Sequence, residues 1–98
     1  MTISASNEQP TTIIIFGASG DLTRRKLIPS LFSSYLKGRL PENLQIVGFA
    51  RRPYTHDSLR ERLREGVLEF ASNIFEEKAW DRFSNKLWYS RGNLDSLE

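Results

Sequence analysis

The run Thr11-Thr12-Ile13-Ile14-Ile15-Phe16 meets Gly17-Ala18-Ser19-Gly20 with no polar transition between them, and that junction restricts the fold more than anything else in the chain. β-Branched and aromatic residues favour extended backbone, and an unbroken apolar run predicts a strand covered on both faces in a parallel sheet. Glycine at the exit permits the sharp turn that a side chain there would resist. From Leu22 to Lys37, the residues Leu27, Leu31 and Tyr35, with Ile28, Phe32 and Leu36 beside them, recur at helical spacing and predict a wide buried stripe.

Pro29 interrupts that helix. It has no N–H and disfavours helical backbone in the residue before it, so the reading is a first turn near Leu22 to Leu27 and a kink or restart at Pro29. Gly38 is placed to end the helix in the left-handed region. Leu40-Pro41-Glu42-Asn43 is turn chemistry, and Leu44 to Ala50 reads as a second strand in which Gly48 admits a close neighbour. Strand, helix and strand at this spacing form a right-handed βαβ crossover with parallel strands. Thr55 predicts an N-cap with Asp57 in the first turn, followed by a seam of Leu59, Leu63, Val67 and Phe70 or Ala71, with Arg60, Glu61, Arg64 and Glu65 solvated. A shorter helix around Glu76 to Lys86 turns Ala79, Trp80 and Phe83 inward, and Leu87-Trp88-Tyr89 predicts a third strand. The fold class is therefore α/β, the N-terminal part of a Rossmann-type doubly wound parallel sheet with three strands and crossover helices. Residues 1–10 are polar and aperiodic and are read as a flexible leader; residues 11–98 form the domain portion.

With 98 residues the chain holds one domain at most, and a complete nucleotide-binding enzyme would need more. It has no cysteine and one histidine, so disulfides, thiolate catalysis and a cysteine- or histidine-built metal site are not expected. No apolar stretch approaches the roughly 18 to 20 residues needed to span a bilayer, and the opening is not a basic segment followed by an apolar one, so a cytoplasmic protein is expected. The net charge of +2, with Arg and Lys interleaved among Glu, gives no basis for nucleic-acid binding.

A glycine turn between a buried strand and a helix places backbone N–H groups beside the positive end of the helix dipole, where a pyrophosphate binds. Gly17 allows the exit from the strand, Gly20 allows close approach to phosphate oxygens, and Ser19 adds a hydroxyl. The spacing is Gly-x-x-Gly-x-x-Thr rather than Gly-x-Gly-x-x-Gly, so the strand before and the helix and strand after carry the assignment. No Gly-Lys-Ser/Thr follows, which excludes a Walker-type loop. An acidic residue at the end of the second strand would accept from the ribose 2′-hydroxyl of NAD. The sequence there is Phe49-Ala50-Arg51-Arg52, and an arginine fork suits the 2′-phosphate of NADP. Arg51 is the expected ligand, with Arg52 directed to the other face. Arg25 reads as a solvated helix residue, whereas Lys26, one turn beyond Gly20 to Thr23, is within reach of an anionic cleft. His56, at a helix start, is expected to be exposed and structural, and Trp80, Trp88 and Tyr89 to belong to the core.

Gly17-Ala18-Ser19-Gly20-Asp21-Leu22-Thr23-Arg24-Arg25-Lys26-Leu27-Ile28-Pro29 closely resembles the opening motif of glucose-6-phosphate dehydrogenases, and Leu40-Pro41 to Phe49-Ala50-Arg51 resembles their second strand. The resemblance covers nearly all of the chain after the leader but only the first part of that family's polypeptide, as expected of an N-terminal fragment. It implies oxidation of glucose 6-phosphate to 6-phosphogluconolactone with NADP, at the head of the pentose phosphate pathway. It also implies that Gly17, Ala18, Ser19, Gly20, Asp21, Leu22, Thr23 and Arg24 wrap the pyrophosphate and that Arg51 holds the 2′-phosphate. Lys26 matches a lysine near the cofactor and substrate cleft, and Asn93 and Leu94 match a loop that passes the nucleotide. The family's catalytic histidine segment, of the form His-Tyr-Leu-Gly-Lys-Glu, and its Pro-Pro-containing substrate loop have no counterpart here, so no catalytic residue is expected in this chain and His56 is not that histidine. Assembly into a homo-oligomer would run through a later α+β domain. The competing readings are a non-catalytic NADP-binding or sensing module and a short-chain reductase or epimerase acting on a nucleotide sugar, which would need a Tyr-x-x-x-Lys pair.

Overall fold

The computed structural model describes residues 10–92, so residues 1–9 of the expected leader and the expected site residues Asn93 and Leu94 lie outside the described residues. The first strand, β1 (Thr11–Phe16), leads through the glycine turn into a π-helical segment, Thr23–Leu27, and then into α1 (Ile28–Leu36). The π segment is the physical form of the interruption predicted at Pro29. The Ile28 N–H donates back five residues to the Thr23 carbonyl, and Pro29, whose missing N–H would strand an acceptor inside a helix, enters the first turn of α1, where it costs nothing. Gly38, at φ 69°, closes α1 as predicted: its N–H donates to the Tyr35 carbonyl at 3.0 Å and that of Arg39 to Ser34 at 3.0 Å, the paired bonds of a Schellman cap.

β2 (Leu44–Ala50) follows, then α2 (His56–Phe70), a 3₁₀ turn at Ser72–Ile74, α3 (Glu77–Ser84) and β3 (Leu87–Arg91). Thr55 caps α2 in a reciprocal box, its hydroxyl accepting from the Ser58 N–H at 3.0 Å while the Ser58 hydroxyl accepts from the Thr55 N–H at 2.8 Å. The strands form one parallel sheet in the order β1-β2-β3, with Ile13 opposite Ile46, Ile15 opposite Gly48 and Gly48 opposite Tyr89.

The core lies between the sheet and the helices. Phe32, Phe83, Ile28, Leu44, Ile46, Leu63 and Val67 are fully buried, and Phe32 packs edge-on against Trp80 and Phe83 with ring centroids 5.4 and 5.5 Å apart. Several expectations need correcting. β1 is covered on one face only: Ile15 is buried, but Ile14 is 53% exposed and Phe16 52%, because all the described helices pack against the opposite face. The buried stripe of α1 is Ile28 and Phe32 with Leu31 and Tyr35 partly buried, whereas Leu27, the last residue of the π segment, and Leu36, the last residue of α1, are exposed. Phe70 is exposed at the end of α2. Trp88 is exposed at the sheet edge rather than in the core that takes Trp80 and Tyr89.

Arg60 and Arg64, expected to be solvated, are half-buried and bonded. The Arg60 guanidinium donates twice to the Leu87 carbonyl, at 2.9 and 2.6 Å, and lies over the Trp88 ring. Arg64 pairs with Glu77 of α3, and the hydrogen bond between them lowers the Glu77 carboxyl pKa and raises that of the guanidinium. His56, four residues before Arg60, accepts the Tyr89 N–H on Nδ1 at 2.8 Å, a structural role as expected. One face of α2 thus occupies outward-facing backbone groups of β3, groups that an uncovered edge strand would offer to another chain.

Candidate cofactor-binding site

The glycine turn hangs from the end of β2. The N–H groups of Gly17 and Ala18 both donate to the Phe49 carbonyl, at 2.9 and 3.0 Å, which extends the β1–β2 pairing one step past the last strand residue. Gly17, at φ 72°, reverses the chain in a region open to glycine and strained for other residues. The Gly17 carbonyl then accepts from the Gly20 N–H at 2.9 Å and from the buried Thr23 hydroxyl at 3.1 Å. The threonine of the Gly-x-x-Gly-x-x-Thr pattern therefore ties the turn to the helix that follows. A Cβ at Gly20 would stand 3.0 Å from the Gly17 carbonyl oxygen, so a side chain there would crowd the turn itself as well as the approach of a ligand.

The Arg24 N–H donates to the Gly20 carbonyl at 3.2 Å, which makes Gly20 the start of the helix. The first N–H groups of a helix have no partner within it, and here they belong to Asp21, Leu22 and Thr23 beside the turn. Together with the turn they form the kind of cradle that receives a phosphate. Two further glycines let it pack. A Cβ on Gly48 would overlap that of Ala18 at 2.5 Å, which is the close approach predicted for β2, and one on Gly66 of α2 would stand 2.8 Å from the Arg24 carbonyl oxygen.

The remaining predicted residues surround this cradle unevenly. Ala18, Ser19 and Thr23 are buried within it, while Leu22 is 69% exposed. Asp21 pairs with Arg25 at 3.1 Å across one helical turn, and Lys26 is exposed beside them. The Arg24 guanidinium turns away to α2, pairing with Glu69 at 2.9 Å and lying 5.4 Å over the Phe70 ring. Arg51 and Arg52 are exposed immediately after β2, at the same end of the sheet as the turn. Arg91, at the end of β3, donates from Nε to the Arg51 carbonyl at 3.0 Å.

Sequence reasoning missed three residues here: Arg62, Gly66 and Arg91. A glycine inside a helical pattern, which is unfavourable by about 1 kcal/mol relative to alanine, was the available signal for Gly66. Nothing local marks the two arginines, whose partners are 43 and 40 residues away. Among the described residues no group of three or more His, Asp or Glu is arranged to hold a metal, and no helix is long and apolar enough to cross a membrane.

Residues 14–98 match the family model described as glucose-6-phosphate dehydrogenase, NAD binding domain. This chain belongs to that family. A glucose-6-phosphate 1-dehydrogenase of Chlamydia muridarum is 40% identical over 90 residues, covering 91% of this chain and 18% of the relative. That of Bacillus subtilis is 36% identical over 85 residues, covering 86% and 16%. A solved structure of glucose-6-phosphate dehydrogenase in complex with its substrate glucose-6-phosphate superposes with a TM-score of 0.78 at 34% identity, covering 92% of this chain and 18% of that one. A crystal structure of the Mycobacterium avium glucose-6-phosphate 1-dehydrogenase gives 0.77 at 28% identity, over 86% and 18%. The likeness therefore extends over the sheet, the glycine turn and the helices of one face. The chain spans under a fifth of the length of these relatives. Family membership makes this a nicotinamide-dinucleotide-binding domain.

Proposed function

We propose that the chain is the cofactor-holding portion of an NADP-dependent glucose-6-phosphate dehydrogenase. The observation that carries the choice of NADP is an arginine, Arg51, in place of an acidic residue at the end of β2, two residues past the Phe49 carbonyl from which the glycine turn hangs. When bound, NADP supplies the hydride acceptor for oxidation of glucose 6-phosphate at its anomeric carbon, giving 6-phosphogluconolactone at the head of the pentose phosphate pathway.

In this reading the turn from Gly17 to Thr23 surrounds the pyrophosphate, with the helix-start N–H groups of Asp21, Leu22 and Thr23 as its donors because those of Gly17, Ala18 and Gly20 are bonded within the sheet and the turn. Arg51 grips the 2′-phosphate, and Lys26 lends positive charge to the cleft. The backbone, rather than the guanidinium, of Arg24 belongs to the cradle, because its side chain is held by Glu69. Asn93 and Leu94, outside the described residues, are assigned to the same cofactor on the family resemblance alone. The one histidine is engaged with the backbone of β3, and we assign the acid–base group, the sugar-phosphate ligands and any homo-oligomer surface to parts of the family's polypeptide outside the segment matched here. The proposed setting is cytoplasmic, without nucleic acid or membrane as partner.

Arg51→Ala, made in the whole protein that carries this chain, tests the choice of cofactor. A charge-assisted hydrogen bond is worth about 1.5–3 kcal/mol, so the Kd for NADP should rise roughly ten- to a hundredfold while that for NAD hardly moves. Equal losses for the two would sink the assignment. Glucose-6-phosphate-dependent reduction of NADP by the same protein separates the dehydrogenase from a non-catalytic NADP-binding module.

A further inference from the structure

Arg62 is half-buried on α2, and its Nε donates to the backbone carbonyl of Ser19 at 3.1 Å. That carbonyl belongs to the peptide between Ser19 and Gly20, the middle of the glycine turn. The N–H of the same peptide donates to the Gly17 carbonyl at 2.9 Å. A peptide is planar, so holding its oxygen toward α2 and its N–H toward Gly17 fixes the plane completely. A flipped plane would swing the Ser19 carbonyl, with its partial negative charge, out of this bond.

Four residues on, and so on the same face of α2, stands Gly66, which is buried and leaves no space for a Cβ between α2 and the Arg24 backbone. The second crossover helix therefore meets the turn at Arg62 and the π segment at Gly66. The contact is specific in its chemistry: Ser19 is buried, and its carbonyl receives a charged donor rather than a neutral one.

We infer that Arg62 is a positioning residue for the dinucleotide's pyrophosphate, locking the Ser19–Gly20 peptide so that the turn offers donors and not a carbonyl oxygen to the anion. The inference rests on the reading of Gly17 to Gly20 as the pyrophosphate cradle. It distinguishes Arg62 from Arg51 in a measurable way. The pyrophosphate is common to NAD and NADP, whereas the 2′-phosphate is not.

The test is Kd for NADP and for NAD, measured by titration calorimetry on the whole protein that carries this chain, in Arg62→Met, Arg62→Lys and Arg51→Ala. Arg62→Met should weaken both dinucleotides by the same factor, about tenfold for one lost charge-assisted bond, without raising the KM for glucose 6-phosphate at saturating NADP. Arg62→Lys, which keeps a charged donor, should recover part of that loss for both. The inference is overturned if Arg62→Met binds both dinucleotides as the parent does, if NADP alone weakens, or if the KM for the sugar rises in step, as general loosening of the fold would cause. Should Arg62→Met not fold, the same comparison passes to Arg62→Lys and Arg62→Gln. Normal binding of both dinucleotides by these two would overturn the inference, and a matched loss would support it. Arg51→Ala and Gly20→Val serve as the independent reference. If they weaken NADP and the Arg62 variants do not, only the inference fails. If they leave both dinucleotides untouched, the cradle reading fails and the inference with it.

Discussion

On the helix side of the sheet Ile15, Ile46, Leu87 and Tyr89 are buried, while Ile14 and Phe16, each one residue from Ile15 along β1, lie open on the other side. The side chains on the two faces are chemically alike, so composition does not explain the difference. Coverage does: α1, α2 and α3 all pack on one side, because two successive right-handed crossovers running in the same direction across the strand order β1-β2-β3 return to the same face. The unbroken apolar run of β1 thus records two burial surfaces, of which the described residues cover one. Phe16 and Phe49, with ring centroids 5.9 Å apart, pack on each other there. A contiguous apolar patch of this kind marks a surface that another layer covers.

Paired truncations should expose the contrast most strongly. Phe32 is fully buried among Trp80, Phe83 and Tyr35, so Phe32→Ala should destabilise by about 3–5 kcal/mol, the usual cost of emptying an aromatic site. Phe16→Ala in the isolated 98-residue chain loses only the half-exposed contact with Phe49 and should destabilise by about 0.5–1.5 kcal/mol. Urea unfolding of each variant measures both. The comparison sharpens if Phe16→Ala is repeated in the whole protein: a layer over the open face would raise its cost toward that of Phe32→Ala, and an unchanged small cost would show the face to be solvated there too.

The covered face also differs within itself, between glycines that make room and glycines that permit a turn. Gly48→Ala places a Cβ 2.5 Å from that of Ala18, directly under the cradle, and should destabilise by about 1–3 kcal/mol while weakening dinucleotide binding as the turn is pushed outward. Gly38→Ala meets nothing within 4 Å, but its φ of 69° is strained for alanine by about 1 kcal/mol and lies at the far end of α1. It should lower stability alone. Thermal melts with and without NADP separate the two: the ligand-induced shift should shrink in Gly48→Ala and persist in Gly38→Ala.

Much of this arrangement was legible in the sequence, for reasons that are local. β1 and β2 end where Gly17 and Arg51 follow them, Pro29 and Gly38 punctuate the first helix, and Thr55 starts the second. Each of these effects acts over a few residues through φ, a missing N–H or a side-chain cap. The cradle was legible for the same reason, since Gly17, Gly20 and Thr23 bond to one another. What escaped depends on partners far along the chain. Arg62 and Arg91 find backbone carbonyls in the turn and after β2, and Arg60 and His56 occupy the edge of β3, none of which a helical or strand period encodes. The open face escaped because periodicity reports that a side chain is apolar and not whether a layer lies over it.

The smallest expected effect lies on the outer surface of the covered side, where Arg64 of α2 meets Glu77 of α3. The hydrogen bond from the guanidinium holds the Glu77 carboxyl pKa below its ordinary value. A carboxyl whose folded pKa is depressed stabilises the fold above its unfolded pKa, and that contribution disappears as pH falls through the folded value. Glu77→Gln should therefore lower the urea midpoint slightly near neutral pH and converge with the parent in strong acid, with the gap narrowing in high salt because the pair is exposed. Trp80 and Phe83 of α3 pack against Phe32 of α1, and that apolar contact, not the ion pair, is what docks the helix. If Glu77→Gln instead cost as much as Phe32→Ala, the covered face would owe its order to charge on its rim, and the contrast between the two faces would have to be rebuilt on electrostatics.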